Sequence, residues 1–225
     1  EKFNHIPVLA KESLHLLKLS PGDLVVDCTC GGGGHSKLFL NEIKESGKLI
    51  ALDQDIKAIN HLKSFFSKEL ESTQVELYHQ PFNKLKELTS IQKNRGKIAV
   101  IFADIGMSSP QIDSVTRGFS FRYDAPLDMR MDRVNNPQTA AKLLNTASQE
   151  ELCEIFFKLG EEPKARQIAK LICLERKKKK IQTTKELVAI IEKALPYAKK
   201  SKKHPATKVF QALRIYVNKE LEQLE

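Results

Sequence analysis

Four consecutive glycines, Gly31 to Gly34, follow directly on a short apolar run and its acid, Leu24-Val25-Val26-Asp27-Cys28-Thr29-Cys30. The run reads as a buried parallel strand, and Lys37 to Lys44 reads as a helix. Strand, glycine turn and helix form the first half of a nucleotide-binding βαβ unit. Glycine is needed there because the backbone must turn sharply and lie against a ligand with no Cβ in the way. A second apolar run, Leu49 to Leu52, ends in Asp53, twenty residues after Gly33. A carboxylate at the tip of a second strand is placed to accept hydrogen bonds from ribose hydroxyls.

Three ligands use such a turn. A phosphate-binding P-loop ends in Gly-Lys-Ser/Thr, but here Gly34 is followed by His35 and Ser36. A dinucleotide fingerprint needs a third small residue at a set spacing, and the fit is poor. What remains is an acid, three residues, then Gly-x-Gly: Asp27, Gly31 and Gly33. That is the S-adenosylmethionine (SAM) loop, in which backbone approaches the methionine part of a cationic ligand.

Two more strands are expected. Val75 to His79 is followed by Gln80-Pro81-Phe82-Asn83, and Phe82 stands where a side chain packs on adenine in such folds. Ile98 to Phe102 leads to Asp104 and then Gly106-Met107-Ser108-Ser109-Pro110-Gln111. Ligands of open α/β sheets sit beyond the carboxyl ends of the strands, and Asp27, Asp53, Phe82 and Asp104 all fall there. Ahead of the first strand, a helix within His5 to Lys18 is expected to turn Leu9, Ser13, Leu16 and Leu17 to one side.

Residues 108–137 look neither helical nor strand-like, and an ordered loop of that length is usually functional. Helices follow. Capping boxes are expected at Ser148/Glu151 and Thr183/Glu186. Stripes are expected at Leu152, Ile155, Phe156 and Leu159, at Ile168, Leu171 and Ile172, and at Leu187, Ile190 and Ile191. The last helix is expected to align Phe210, Leu213, Val217, Leu221 and Leu224. Four cysteines, Cys28, Cys30, Cys153 and Cys173, show no zinc spacing, and no metal site is expected. No apolar run is long enough to span a membrane. The N-terminus has no apolar signal core, which points to the cytoplasm.

Charge is unevenly placed. Residues 110–210 hold 21 Lys+Arg against 12 Asp+Glu, and the remainder holds 16 of each, so the whole net charge of +9 lies in that segment. A basic segment beside a neutral body suggests a polyanionic substrate. The basic runs Arg176 to Lys180 and Lys199 to Lys203 are expected at helix ends.

Several stretches together resemble one family. They are His5-Ile6-Pro7-Val8, Gly33-Gly34-His35-Ser36, Asp104-Ile105-Gly106 through Ser108-Ser109-Pro110-Gln111, and Arg117-Gly118-Phe119-Ser120. Pro126-Leu127-Asp128-Met129-Arg130-Met131-Asp132 and His204-Pro205-Ala206-Thr207 through Phe210-Gln211-Ala212-Leu213-Arg214 complete the set. These resemble the bacterial 16S ribosomal RNA cytosine N4-methyltransferases, the RsmH/MraW family, from His5 to about Leu224. Cys30 stands where an aromatic is usual and Ile56 where a proline often follows the second acid. The resemblance implies an α/β, class I SAM-dependent methyltransferase (Rossmann-like) domain with an all-helical insert. It assigns 1–109 plus 211–225 to the methyltransferase domain and 110–210 to the basic insert. The family continues with further strands, so this sequence reads as a trimmed chain lacking its C-terminal strands.

The family's cofactor contacts map onto Gly33, Gly34, His35, Asp53, Phe82, Asp104 and Gln111. The implied reaction is methyl transfer from SAM to the exocyclic N4 of a cytosine in 16S rRNA of the small ribosomal subunit. Asp104, near Ser108-Ser109-Pro110, is the expected acceptor beside that amine, or else a cofactor contact. Phe119 or Phe121 is the expected stacking partner of an extruded base. Two other readings are a non-catalytic RNA-binding protein and a small-molecule methyltransferase. The intact glycine turn with Asp53 argues against the first, and the basic insert against the second.

Overall fold

The computed structural model describes residues 7–196 and 204–224. His5-Ile6 and the Lys199–Lys203 run therefore lie outside the described residues. By internal packing the chain divides into two compact units, residues 1–109 with 223–225 and residues 110–222.

The first unit is built on four strands: β1 (Leu24–Asp27), β2 (Lys48–Asp53), β3 (Val75–His79) and β4 (Ile98–Phe102). All pair in parallel, in the order β3-β2-β1-β4. Their near-continuous apolar sequences follow from burial on both faces. On one face, Val25, Leu49, Ala51 and Val75 pack against Phe39, Leu40 and Ile43 of α2 (Gly34–Ile43) and Ile59 and Leu62 of α3 (Ile56–Phe65). On the other, Leu24, Val26, Cys28, Ile50 and Leu52 pack with Leu88, Phe82, Leu85 and Ile91. The strand order reverses between β2 and β4 on either side of β1. This opens a crevice at the carboxyl ends of β1 and β4, the usual ligand position in such a sheet. Among the described residues β4 pairs only with β1, and Ile101 on it is 58% exposed.

Helix α1 (Ala10–Leu17) corrects the expected stripe: Leu9 and Leu16 are exposed, while Leu14 and Leu17 pack on the core. The helix begins only at Ala10, after Leu9 in a left-handed conformation, which sets its face one step round from the expected one. Two short helices, α4 (Ser67–Glu71) and α5 (Thr89–Lys93), complete the unit, with a 3₁₀ turn at Phe82–Glu87.

The second unit holds α6 (Ser109–Asp113), α7 (Ala140–Thr146), α8 (Gln149–Lys158), α9 (Ala165–Glu175), α10 (Thr184–Ala194) and α11 (Thr207–Val217). The unit boundary follows α6's first residue. Helix α8 packs on α9 and α11, α9 on α10, and α7 on α11. Thr183 and Glu186 form a reciprocal capping box, and Ser148 accepts the Glu151 amide. Residues 211–222, expected with the first unit, instead belong to the second, because α11 buries Val209, Phe210, Ala212 and Leu213 there. The expected long apolar stripe also stops early. Asn218 caps α11 and Lys219 turns left-handed, which leaves Leu221 and Leu224 exposed.

The segment between α6 and α7 is irregular but tightly held. Arg117 is buried and donates to the carbonyls of Arg130 (2.9 Å) and Met131 (3.1 Å). Asp128 accepts from Arg130 Nε (2.7 Å) and Arg133 Nη2 (2.8 Å). Burial alone would raise the Asp128 carboxyl, but these hydrogen bonds and the two guanidinium charges hold it below its usual range. Asn218 Oδ1 accepts the Met131 amide (2.6 Å), and its Nδ2 donates to the Met129 carbonyl (2.7 Å). Gly118 has φ +72°, and a Cβ there would collide with the Pro126 carbonyl oxygen, so only glycine fits.

Candidate functional site

In the first unit the sheet brings Asp27, Asp53, Phe82 and Asp104 to one end. The register sets Asp27 level with Ala51 and Phe102, and Asp53 level with His79. The three acids do different work there.

Asp27 is fully buried. It accepts the Ser36 hydroxyl (2.6 Å) and the Thr29 amide (3.1 Å), so it braces the turn from beneath. Burial pushes its carboxyl up to about 6, against the lowering effect of those two hydrogen bonds. Asp53 is half-buried and bridges two backbones: Oδ1 accepts the Asp55 amide (2.7 Å) and Oδ2 the Gly31 amide (2.8 Å). Its carboxyl is also pushed up to about 6, chiefly by burial, with both amides opposing the rise. Each oxygen keeps a second lone pair. The side chain of Asp104, by contrast, is 52% exposed.

The glycine turn ends in α2, which has Gly33 as N-cap (φ +82°) and no acid in its first turn. The helix N-terminus therefore presents its partial positive charge without a side-chain cap. A Cβ on Gly33 would lie 2.6 Å from Leu62 Cδ2, and one on Gly34 2.6 Å from Pro7 Cγ. Around Gly31 the nearest atom to a Cβ is 3.9 Å away. Gly33 and Gly34 thus serve close packing within the protein, and the open side of the turn is at Gly31. His35 is buried, its ring 4.7 Å from that of Phe102 and 5.9 Å from that of Phe39. Its Nε2 stands 3.7 Å from Asp104 Oδ2.

Phe82 opens the 3₁₀ turn after β3 and is partly buried against the Leu24/Val26/Ile50 side of the core. Gln111 is buried on α6, in the second unit, two residues past the unit boundary. Gly33, Gly34, His35, Asp53, Phe82 and Asp104 all stand at the carboxyl end of the sheet in the first unit.

Two thiols adjoin the turn. Burial, aided by the Asp27 carboxylate, pushes Cys28 up to about 12, and burial drives Cys30 well above its ordinary value. Neither offers a thiolate at neutral pH. The two rings expected to stack on a base are engaged. Phe119 is buried, and Phe121 stacks on His204 (4.6 Å) with its edge to Phe210 (5.1 Å). The exposed aromatic of that segment is Tyr123, which sequence reasoning passed over because nothing in its spacing marks it. Thr29 was missed for the same reason: its hydroxyl accepts the Asp104 amide at 2.7 Å across 75 residues.

These features fit SAM. The turn is open at Gly31, Asp53 keeps acceptor capacity at the tip of β2, and Asp104 is an exposed acid beyond β4. SAM supplies an electrophilic methyl group on positively charged sulfur. Among the described residues no helix is long and apolar enough to cross a membrane.

Three solved structures align with part of the chain. A protein from Clostridium thermocellum assigned as an rRNA-methylase is 24% identical, with TM-score 0.32, over 37% of this chain and 48% of that one. A SAM-dependent O-methyltransferase from Thermotoga maritima is 17% identical, with TM-score 0.33, over 37% and 32%. A SAM-dependent methyltransferase from Aquifex aeolicus is 24% identical, with TM-score 0.29, over 33% and 39%. The chain thus matches less than half the length of each. A family profile described as the MraW methylase family matches residues 2–225. With that match over nearly its whole length, the chain belongs to the MraW methylase family.

Proposed function

We propose that this protein transfers a methyl group from SAM to the exocyclic N4 of a cytosine in the decoding region of 16S rRNA, within the small ribosomal subunit in the cytoplasm. The observation that carries the reading is the strand-end arrangement of Asp53, the Gly31 turn and exposed Asp104, in a chain of the MraW methylase family. On this reading Gly33 and Gly34, whose α-carbons face the packed protein, offer only their backbone to the cofactor, and His35, Asp53, Phe82 and Asp104 complete its site. Gln111 is added on the family resemblance alone.

The chemistry of the site favours an amine acceptor. Methylation at a ring carbon of cytosine calls for a nucleophilic thiolate to activate the ring. The cysteines beside the turn, Cys28 and Cys30, are held as buried thiols. An exocyclic amine attacks the methyl carbon directly with its own lone pair, which is drawn into the ring until an acceptor favours a pyramidal nitrogen. Asp104 is the exposed strand-end acid, so it is suited to accept a hydrogen bond from that amine and take up its proton. Asp27, buried beneath the turn, is out of reach for this.

Nucleoside mass spectrometry of 16S rRNA from cells with and without the gene tests the reaction. Loss of N4-methylcytidine at one position is the expected result, and an unchanged nucleoside profile would refute it.

The basic helical unit is the proposed RNA contact. In the run after α9, Arg176 donates to the Leu144 carbonyl (2.7 Å), Lys178 pairs with Glu175 (3.2 Å) and Lys179 with Glu186 (2.6 Å). Lys177 and Lys180 are exposed. Replacing both by Gln should lower the slope of log affinity against log salt by about 1.4–1.8, since each phosphate contact accounts for about 0.7–0.9. SAM affinity should not change. Filter binding of a decoding-region RNA at several salt concentrations is the measurement, and identical slopes would remove these lysines from the interface.

A further inference from the structure

The strand ladder between β1 and β4 ends where the Cys28 amide donates to the Phe102 carbonyl at 2.8 Å. Beyond that point the two backbones part, as they must at a topological switch point, and among the described residues the loops that follow carry no further backbone bond between them in the ladder's register. Here the Asp104 amide donates to Thr29 Oγ1 at 2.7 Å and bridges the gap. A side chain thus adds one rung past the end of the ladder, at the residue whose half-exposed carboxylate lies 3.7 Å from His35 Nε2. Thr29 is itself anchored. Its amide donates to Asp27 Oδ1 at 3.1 Å, and Asp27 Oδ2 takes the Ser36 hydroxyl at 2.6 Å. Asp27 is fully buried at the end of β1. The chain of contacts runs from the first turn of α2, through the buried acid, to Thr29, and then to the backbone of Asp104.

We infer that Thr29 is a positioning residue: its hydroxyl holds the Asp104 backbone, and so aims the Asp104 carboxylate into the SAM site. The inference rests on the proposed methyltransferase reading. Asp104 is half-exposed and follows a strand that is covered on only part of its surface. Without the rung, its carboxylate would sample several directions. With the rung, it is held within reach of His35, whose Nε2 lies 3.7 Å from Oδ2. The hydroxyl is the working group, because valine has the same shape and lacks the acceptor, while serine keeps the acceptor and loses only a methyl.

The experiment uses the full chain with Thr29→Val and Thr29→Ser. NMR hydrogen exchange of the Asp104 amide reads the rung itself, and calorimetry with SAM reads its consequence. Thr29→Val should exchange faster at Asp104 and bind SAM about fivefold more weakly, the yield of one lost hydrogen bond. Thr29→Ser should match wild type in both. Thermal unfolding of both variants should stay within about 4 °C of wild type, which separates a local effect from a loss of fold. Unchanged exchange in Thr29→Val would overturn the rung, and faster exchange with unchanged SAM affinity would overturn its positioning role. A wild-type chain that does not bind SAM would overturn the methyltransferase reading, and this inference with it. Wild-type binding with equal affinity in Thr29→Val would overturn the inference alone.

Discussion

Replacing Asp53 by Ala should weaken SAM binding roughly 5- to 150-fold, or about 1–3 kcal/mol. Two losses combine. On the proposed reading the ribose hydroxyls lose their acceptor at the tip of β2. The Gly31 amide, now held at 2.8 Å by Asp53 Oδ2, loses the strut that ties the glycine turn to β2. Asp53→Asn should fall between wild type and Ala, because an amide keeps one acceptor oxygen for either Gly31 or Asp55 but not for both. Calorimetry of the three proteins is the measurement. Equal affinity for wild type and Ala would take Asp53 out of the ribose role, whatever its part in the turn.

A second large effect should appear in the pH dependence of stability. Asp27 is fully buried, and burial raises its carboxyl from 3.8 to about 6 in the folded protein. In the unfolded chain the same group ionises in the ordinary range. Between those values the folded state binds the proton more tightly, so the contribution of Asp27 to stability is fully present below about pH 4. It is lost as pH rises through about 6. Two units of difference amount to about 3 kcal/mol. Asp53 shifts in the same direction but is partly open to solvent, so its share is smaller. The substitution Asp27→Asn keeps an acceptor for the Thr29 amide and a polar partner for Ser36, and removes the titration. Urea unfolding from pH 4 to 7.5 should show wild type losing about 3 kcal/mol relative to Asp27→Asn. Parallel curves would mean that Asp27 ionises in the folded protein as easily as in water.

The four parallel strands, the two capped helices of the second unit and the crowding of acids at the strand ends were readable without coordinates. Each rests on a local pattern: continuous apolar runs, a Ser or Thr three residues before a Glu, an acid closing a strand. The glycine turn was readable too, although its reason changed. Gly33 is required by its left-handed φ of +82° and Gly34 by the Pro7 ring 2.6 Å from its would-be Cβ, and only the fold reveals either. The face of α1, the early end of α11 and the membership of residues 211–222 were decided by tertiary packing. A periodic stripe cannot tell where a left-handed residue such as Leu9 or Lys219 will reset or stop the helix. The roles within the site needed the structure most. Three acids of one kind, at similar places in the sequence, became a buried brace, a half-buried strut and an exposed acceptor. That division depends on which backbone amides and hydroxyls lie within hydrogen-bonding distance, and Thr29 meets Asp104 across 75 residues only because β1 and β4 are neighbours in the sheet.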